Sequence, residues 1–87
     1  MRRVEVSSVL HSYTGGRAEV EAEGVTIGEV FDDLNRRFPG LRFRVVDEAG
    51  RIRPTMLVCI GQEVCRDLQR PLAPQDTLRI LHALTGG

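Results

Sequence analysis

From Arg3 to Glu23 the chain alternates between apolar and polar positions. In "RVEVSSVL", Val4, Val6 and Leu10 fall on one face, while Arg3, Glu5 and Ser7 take the other. In "RAEVEAE", Ala18, Val20 and Ala22 alternate with Arg17, Glu19, Glu21 and Glu23. A period of two marks half-buried strands, and the intervening "HSYTGG" reads as their hairpin loop. The period then lengthens. Ile27, Val30, Phe31, Leu34 and Phe38 follow the spacing of one helical stripe. Thr26 followed by Glu29 forms a capping-box start. Asp32 and Asp33 come early and Arg36 and Arg37 late, as the helix dipole favours, and Pro39-Gly40 ends the element.

Beyond this helix the spacing predicts a short strand at Leu41–Val46 and a polar loop, "DEAGRIRP". "MLVCIGQEVC" then reads as a hairpin turning at Gly61-Gln62, with glycine at the first central position of a type II′ turn. That register sets Cys59 opposite Val64 and Cys65 opposite Val58, with the two thiols on opposite faces. "RPLAPQD" is a turn-rich connector and "TLRILHA" a last strand. One helix stripe needs one sheet face to cover it, which gives a two-layer α+β domain. The domain is expected over residues 1–84, with residues 85–87 a flexible tail.

Composition narrows the chemistry. Eighty-seven residues with 41% hydrophobic content suit one small core. Twelve basic residues balance twelve acidic ones, so neither nucleic acid nor an anionic membrane is an expected partner. All the bases are arginine, which leaves no ε-amine for self-conjugation. No stretch approaches the apolar run of about 20 residues that spans a membrane, and "MRRVEVSSVL" lacks the apolar region of a signal peptide. A cytoplasmic protein, monomeric when free, is the expectation. In a reducing compartment Cys59 and Cys65 read as small buried hydrophobes rather than a disulfide. No ligand cluster points to zinc or another metal.

The chain stops on "ALTGG". Thr14-Gly15-Gly16 reads as a turn and lacks the lysine of a phosphate-binding loop, but nothing follows Gly86-Gly87 for a turn to connect. On the residues alone two readings stand: a frayed end, or a thin strip of backbone presenting a free carboxylate. Leu84, Thr85, Gly86 and Gly87 extended reach ~13–14 Å, enough to enter a neighbouring active site. Leu81 is a candidate apolar contact beside this tail. His82 lies next to it, as polar surface or as a partner contact. His11 reads as a loop residue, and Asp32-Asp33 as a solvated helix start.

The whole chain resembles the ubiquitin-like sulfur carriers of the ThiS/MoaD family. "VLHSYTGG" with "GVTIGEVFDDLNRRFPGL" is most similar to the cysteine-biosynthesis type of carrier, and "PLAPQDTLRILHALTGG" is similar to the family's usual ending. The resemblance implies a β-grasp fold and a protein cosubstrate with no catalytic residues of its own. It implies that a ubiquitin-activating-like adenylyltransferase, using ATP and magnesium, adenylates Gly87. A sulfur donor would then supply a thiocarboxylate, and a sulfur-accepting enzyme making cysteine, thiamin or another metabolite would receive it. Leu84, Thr85, Gly86 and Gly87 would enter the partner's active site, with no cofactor held stably. The small subunit of molybdopterin synthase, and a ubiquitin-like modifier joined through Gly87, are the neighbouring alternatives; a plain interaction domain is a further one. Two departures stand out. Gln75 occupies the turn position where the family usually has glycine, and His82-Ala83 replaces a segment that often carries proline.

Overall fold

The computed structural model of the protein describes residues 1–83. Five strands form one mixed sheet in the order β2-β1-β5-β3-β4. They are β1 (Arg2–Val6), β2 (Glu19–Ala22), β3 (Met56–Ile60), β4 (Glu63–Val64) and β5 (Leu78–His82). β1 pairs antiparallel with β2 and parallel with β5. β3 pairs antiparallel with both β5 and β4. Val4 aligns with Val20 and with Leu78, and Ile80 aligns with Val6 and Val58. All of these residues are buried. The alternation that predicted the strands thus builds one continuous apolar layer.

Helix α2 (Ile27–Arg37) packs on that layer, with Ile27, Val30, Phe31 and Leu34 fully buried. The Thr26 hydroxyl accepts from the Glu29 N–H at 3.1 Å, and the Glu29 carboxylate accepts from the Val25 N–H at 3.0 Å. Two further N–H groups of the first turn donate to carbonyls of the connector: Ile27 to Arg70 at 3.2 Å and Gly28 to Leu68 at 2.7 Å. The helix start is therefore satisfied by its own cap and by a neighbouring loop. The β3–β4 hairpin has the expected register, with Cys59 opposite Val64 and the Cys65 N–H donating to the Val58 carbonyl. Gly61 turns it at φ +60. Both cysteines are free and buried; Cys65 joins the core beneath α2, whereas Cys59 does not.

Three expectations are corrected. The connection between β1 and β2 is helical: a 3₁₀ turn (Ser8–Leu10) capped by Ser7 leads into α1 (His11–Thr14). Leu10 belongs to that turn rather than to β1, and His11 to α1 rather than to a loop. Val9, Leu10 and Tyr13 follow helical spacing, and all three pack toward the core. Second, residues 41–45 form a helix, α3 (Leu41–Val45), instead of a strand. Its buried residues, Leu41 and Val45, lie one helical turn apart. Gly40 enters it at φ +94, and the Asn35 side-chain oxygen accepts from the N–H groups of Gly40 and Arg42 at 3.1 and 3.2 Å.

The third correction is Asp33. It is only 5% exposed, not solvated. Its carboxylate accepts from the Glu23 N–H at 2.9 Å and from Arg37 Nε at 2.7 Å, and it pairs with Arg36. The Glu23 N–H, then the Arg37 guanidinium, hold its pKa down to about 2, against the opposing effect of burial. Asp32 turns away to an ion pair with Arg42 at 3.2 Å.

Candidate functional site

The strand that leads to the C-terminus is the best-braced element of the sheet. β5 lies between β1 and β3 and is hydrogen-bonded along both edges. Its pairing reaches the last described residue, where the Ala83 N–H donates to the Thr55 carbonyl at 2.7 Å. At its other end a tight turn delivers Leu78: the Asp76 N–H donates to the Ala73 carbonyl, and the Asp76 carboxylate accepts from the Ala73 N–H. Gln75 fits this turn without glycine. Arg2 locks it from across the sheet, donating to the carbonyls of Ala73 and Asp76 at 2.7 and 2.9 Å and to that of Gly24 at 2.9 Å. Nothing in the sequence singles out Arg2, because a basic residue at a chain end ordinarily reads as surface.

Leu81 and His82 are both half-buried. Leu81 pairs with Leu57 on the sheet face away from α2, and His82 pairs with Met56. The same open face carries Cys59 with its partner Val64, which is 52% exposed. Toward β1 and β2 this face is charged, with Glu5–Arg79 at 3.6 Å and Arg3–Glu19 at 3.8 Å. Leu81 therefore belongs to a small apolar strip rather than standing alone as an exposed contact. Leu84, Thr85, Gly86 and Gly87, the expected tail, lie outside the described residues.

Among the described residues no group of three or more His, Cys, Asp or Glu side chains could hold a metal ion. No helix there is long and apolar enough to cross a membrane. Asp32 and Asp33 do not form a dyad, since one is exposed and the other is consumed by backbone and arginine contacts. What the arrangement offers is an interior strand whose pairing carries the chain to Ala83.

Residues 4–87 match the ThiS family model. The chain belongs to the ThiS family. It is 30% identical over 89 residues to sulfur carrier protein CysO of Mycobacterium bovis, covering 97% of this chain and 96% of that one. CysO of Mycobacterium tuberculosis is similar to the same extent. Among solved structures, a chain of the Amycolatopsis orientalis BexX/CysO complex superposes with a TM-score of 0.90 at 32% identity, covering 100% of both chains. Mycobacterium tuberculosis CysO gives a TM-score of 0.90 at 27% identity, over 97% of this chain and 100% of that one. Small archaeal modifier protein 1 of Haloferax volcanii, at 24% identity, shares the fold with a TM-score of 0.75 over 95% of this chain and 97% of that one. The fold of this ThiS-family chain is the ubiquitin-like β-grasp, as the resemblance implied.

Proposed function

We propose that this protein is a sulfur carrier of the cysteine-biosynthesis type, loaded at the carboxylate of Gly87. The observation that carries this reading is the family match over residues 4–87, which runs through the final Gly86-Gly87. The CysO relatives, similar over nearly the whole chain, point the same way. The chemistry is that of an acyl group. A Gly87 carboxylate oxygen attacks the α-phosphorus of ATP, and pyrophosphate leaves with the electron pair of the broken P–O bond. A hydrosulfide-level sulfur nucleophile then attacks the acyl carbon; a C–S bond forms, the C–O bond to AMP breaks, and the product is a thiocarboxylate. Magnesium and ATP belong to a ubiquitin-activating-like adenylyltransferase, and a sulfur-accepting biosynthetic enzyme takes the product.

The protein's own contribution is mechanical. β5 is paired with β1 as far as Ile80 and on the β3 side as far as Ala83, so the folded domain fixes the origin of the last four residues. From that origin ~13–14 Å of extended backbone is available, and Gly86 and Gly87 add no side chain to obstruct a narrow channel. Incubation with a cognate adenylyltransferase, ATP, magnesium and sulfide tests the reading. Mass spectrometry is expected to show one oxygen replaced by sulfur, on the terminal residue. No exchange, or exchange at an internal carboxylate, would contradict the proposal.

A further inference from the structure

Beside the end of β5, between α1, α3 and the segment leading into β3, lies an open hollow of about 380 Å³ lined by Tyr13, Phe43, Arg44, Arg53 and Thr55. Thr55 is the residue whose carbonyl receives the Ala83 N–H, so the hollow borders the point where the described chain ends. It exists because residues 41–45 are helical. Leu41 and Val45 turn into the core, while Phe43 and Arg44 are left facing out. Phe43 is 57% exposed.

The hollow is lined by two arginines. Arg3, Arg36, Arg37, Arg42, Arg70 and Arg79 each pair with a carboxylate within 4 Å. Among the described residues Arg2, Arg17, Arg44, Arg51, Arg53 and Arg66 have no such pair, and of these Arg44 and Arg53 line one hollow. Arg53 is held in place: its Cζ lies 4.5 Å from the centre of the Phe43 ring and its Nε donates to the Phe43 carbonyl at 2.8 Å. A guanidinium stacked on a ring is positioned before any partner arrives, so less freedom is lost on binding. The nearby Asp47 carboxylate accepts from the Ala49 and Arg51 N–H groups at 2.9 and 3.0 Å and feels the charge of Arg53, but forms no ion pair with it within 4 Å.

We propose that this hollow docks an acidic segment of the adenylyltransferase that activates Gly87, with an Asp or Glu carboxylate meeting Arg44 and Arg53 against the aromatic walls. The inference rests on the sulfur-carrier reading and adds to it where the activating enzyme grips. Both arginines line the one hollow, and the guanidinium fork matches carboxylate geometry. The place also fits: an enzyme that draws in the chain beyond Ala83 must approach Thr55. The reacting carboxylate is itself consumed in the adenylation step, so the grip has to come from the folded surface beside it.

The test is steady-state pyrophosphate release by the cognate adenylyltransferase, with the full-length carrier as varied substrate at low salt. Arg44 is exposed and its side chain makes no hydrogen bond among the described residues, so Arg44→Glu is expected to keep the wild-type melting temperature. Its KM for the carrier should rise about tenfold and kcat change by less than about twofold, because the charge steers and holds the complex without touching the chemistry. Added salt should narrow that difference. Arg66→Glu makes the same change of net charge at an exposed site outside the hollow and should leave KM unaltered. Phe43→Ala combined with Arg44→Glu should raise KM further. An unchanged KM in Arg44→Glu and in the double variant, or an equal rise in Arg66→Glu, overturns the docking site while wild-type activity upholds the carrier. Wild-type protein that supports no pyrophosphate release overturns both.

Discussion

Asp33 ties the helix to the sheet. Its carboxylate receives the Glu23 N–H just beyond β2 and two arginines of its own helix, so it joins α2 to the β2 edge. Its pKa is depressed from 3.8 to about 2. The stabilisation is therefore complete above the unfolded value and is lost as pH falls toward the folded one. Asp33→Asn is expected to destabilise the domain at neutral pH by ~1–3 kcal/mol. Thermal melts of the two proteins should converge between about pH 5 and pH 2, as the wild-type carboxylate takes up its proton. A gap that stays constant over that range would assign the loss to packing instead. The sequence hides this role because Asp32 and Asp33 adjoin on the same polar stretch. Only the crossing of α2 over β2 decides which of them is buried. Arg2 is hidden likewise: its partners are main-chain carbonyls more than 20 residues away, which carry no side-chain signature.

Elements with a long, unambiguous period were legible, and short ones were not. The α2 stripe repeats across 11 residues, and its apolar positions Ile27, Val30, Phe31 and Leu34 are all buried, with Asp33 beside them. Phe31→Ala should cost roughly 3–5 kcal/mol and Leu34→Ala roughly 2–5 kcal/mol, a large share of what a domain of this size possesses. Urea unfolding measures this directly, and unchanged midpoints would show that the stripe does not face the core. In "LRFRV" the apolar residues fit two periods at once, since Leu41, Phe43 and Val45 alternate while Leu41 and Val45 are also one helical turn apart. Five residues cannot separate the two. The Asn35 cap and the positive φ of Gly40 decide for the helix. The same choice creates the hollow, because a strand would not present Phe43 and Arg44 side by side. The part of the candidate surface that depends on α3 was therefore invisible in the sequence.

At the scale of the molecule, the topology puts the C-terminal strand in the interior of the sheet, braced by β1 on one edge and β3 on the other. The Gly-Gly ending is visible in the sequence as such, whereas the contacts that brace the strand leading toward it are not. Arg2 and Thr55 brace β5 from distant parts of the chain, and Asp76 fixes the turn just before it. On the sulfur-carrier reading β5 delivers one particular carboxylate, that of Gly87, for activation. Sulfur incorporation by wild-type protein and by a variant lacking Gly87, in the presence of the cognate adenylyltransferase, ATP, magnesium and sulfide, tests that claim most directly. Deletion shortens the reach by ~3.5 Å, and a misplacement of about 1 Å can already cost ~100-fold in rate. The account predicts one sulfur per wild-type chain and essentially none in the variant, with both proteins melting alike. Equal incorporation in the two would contradict it.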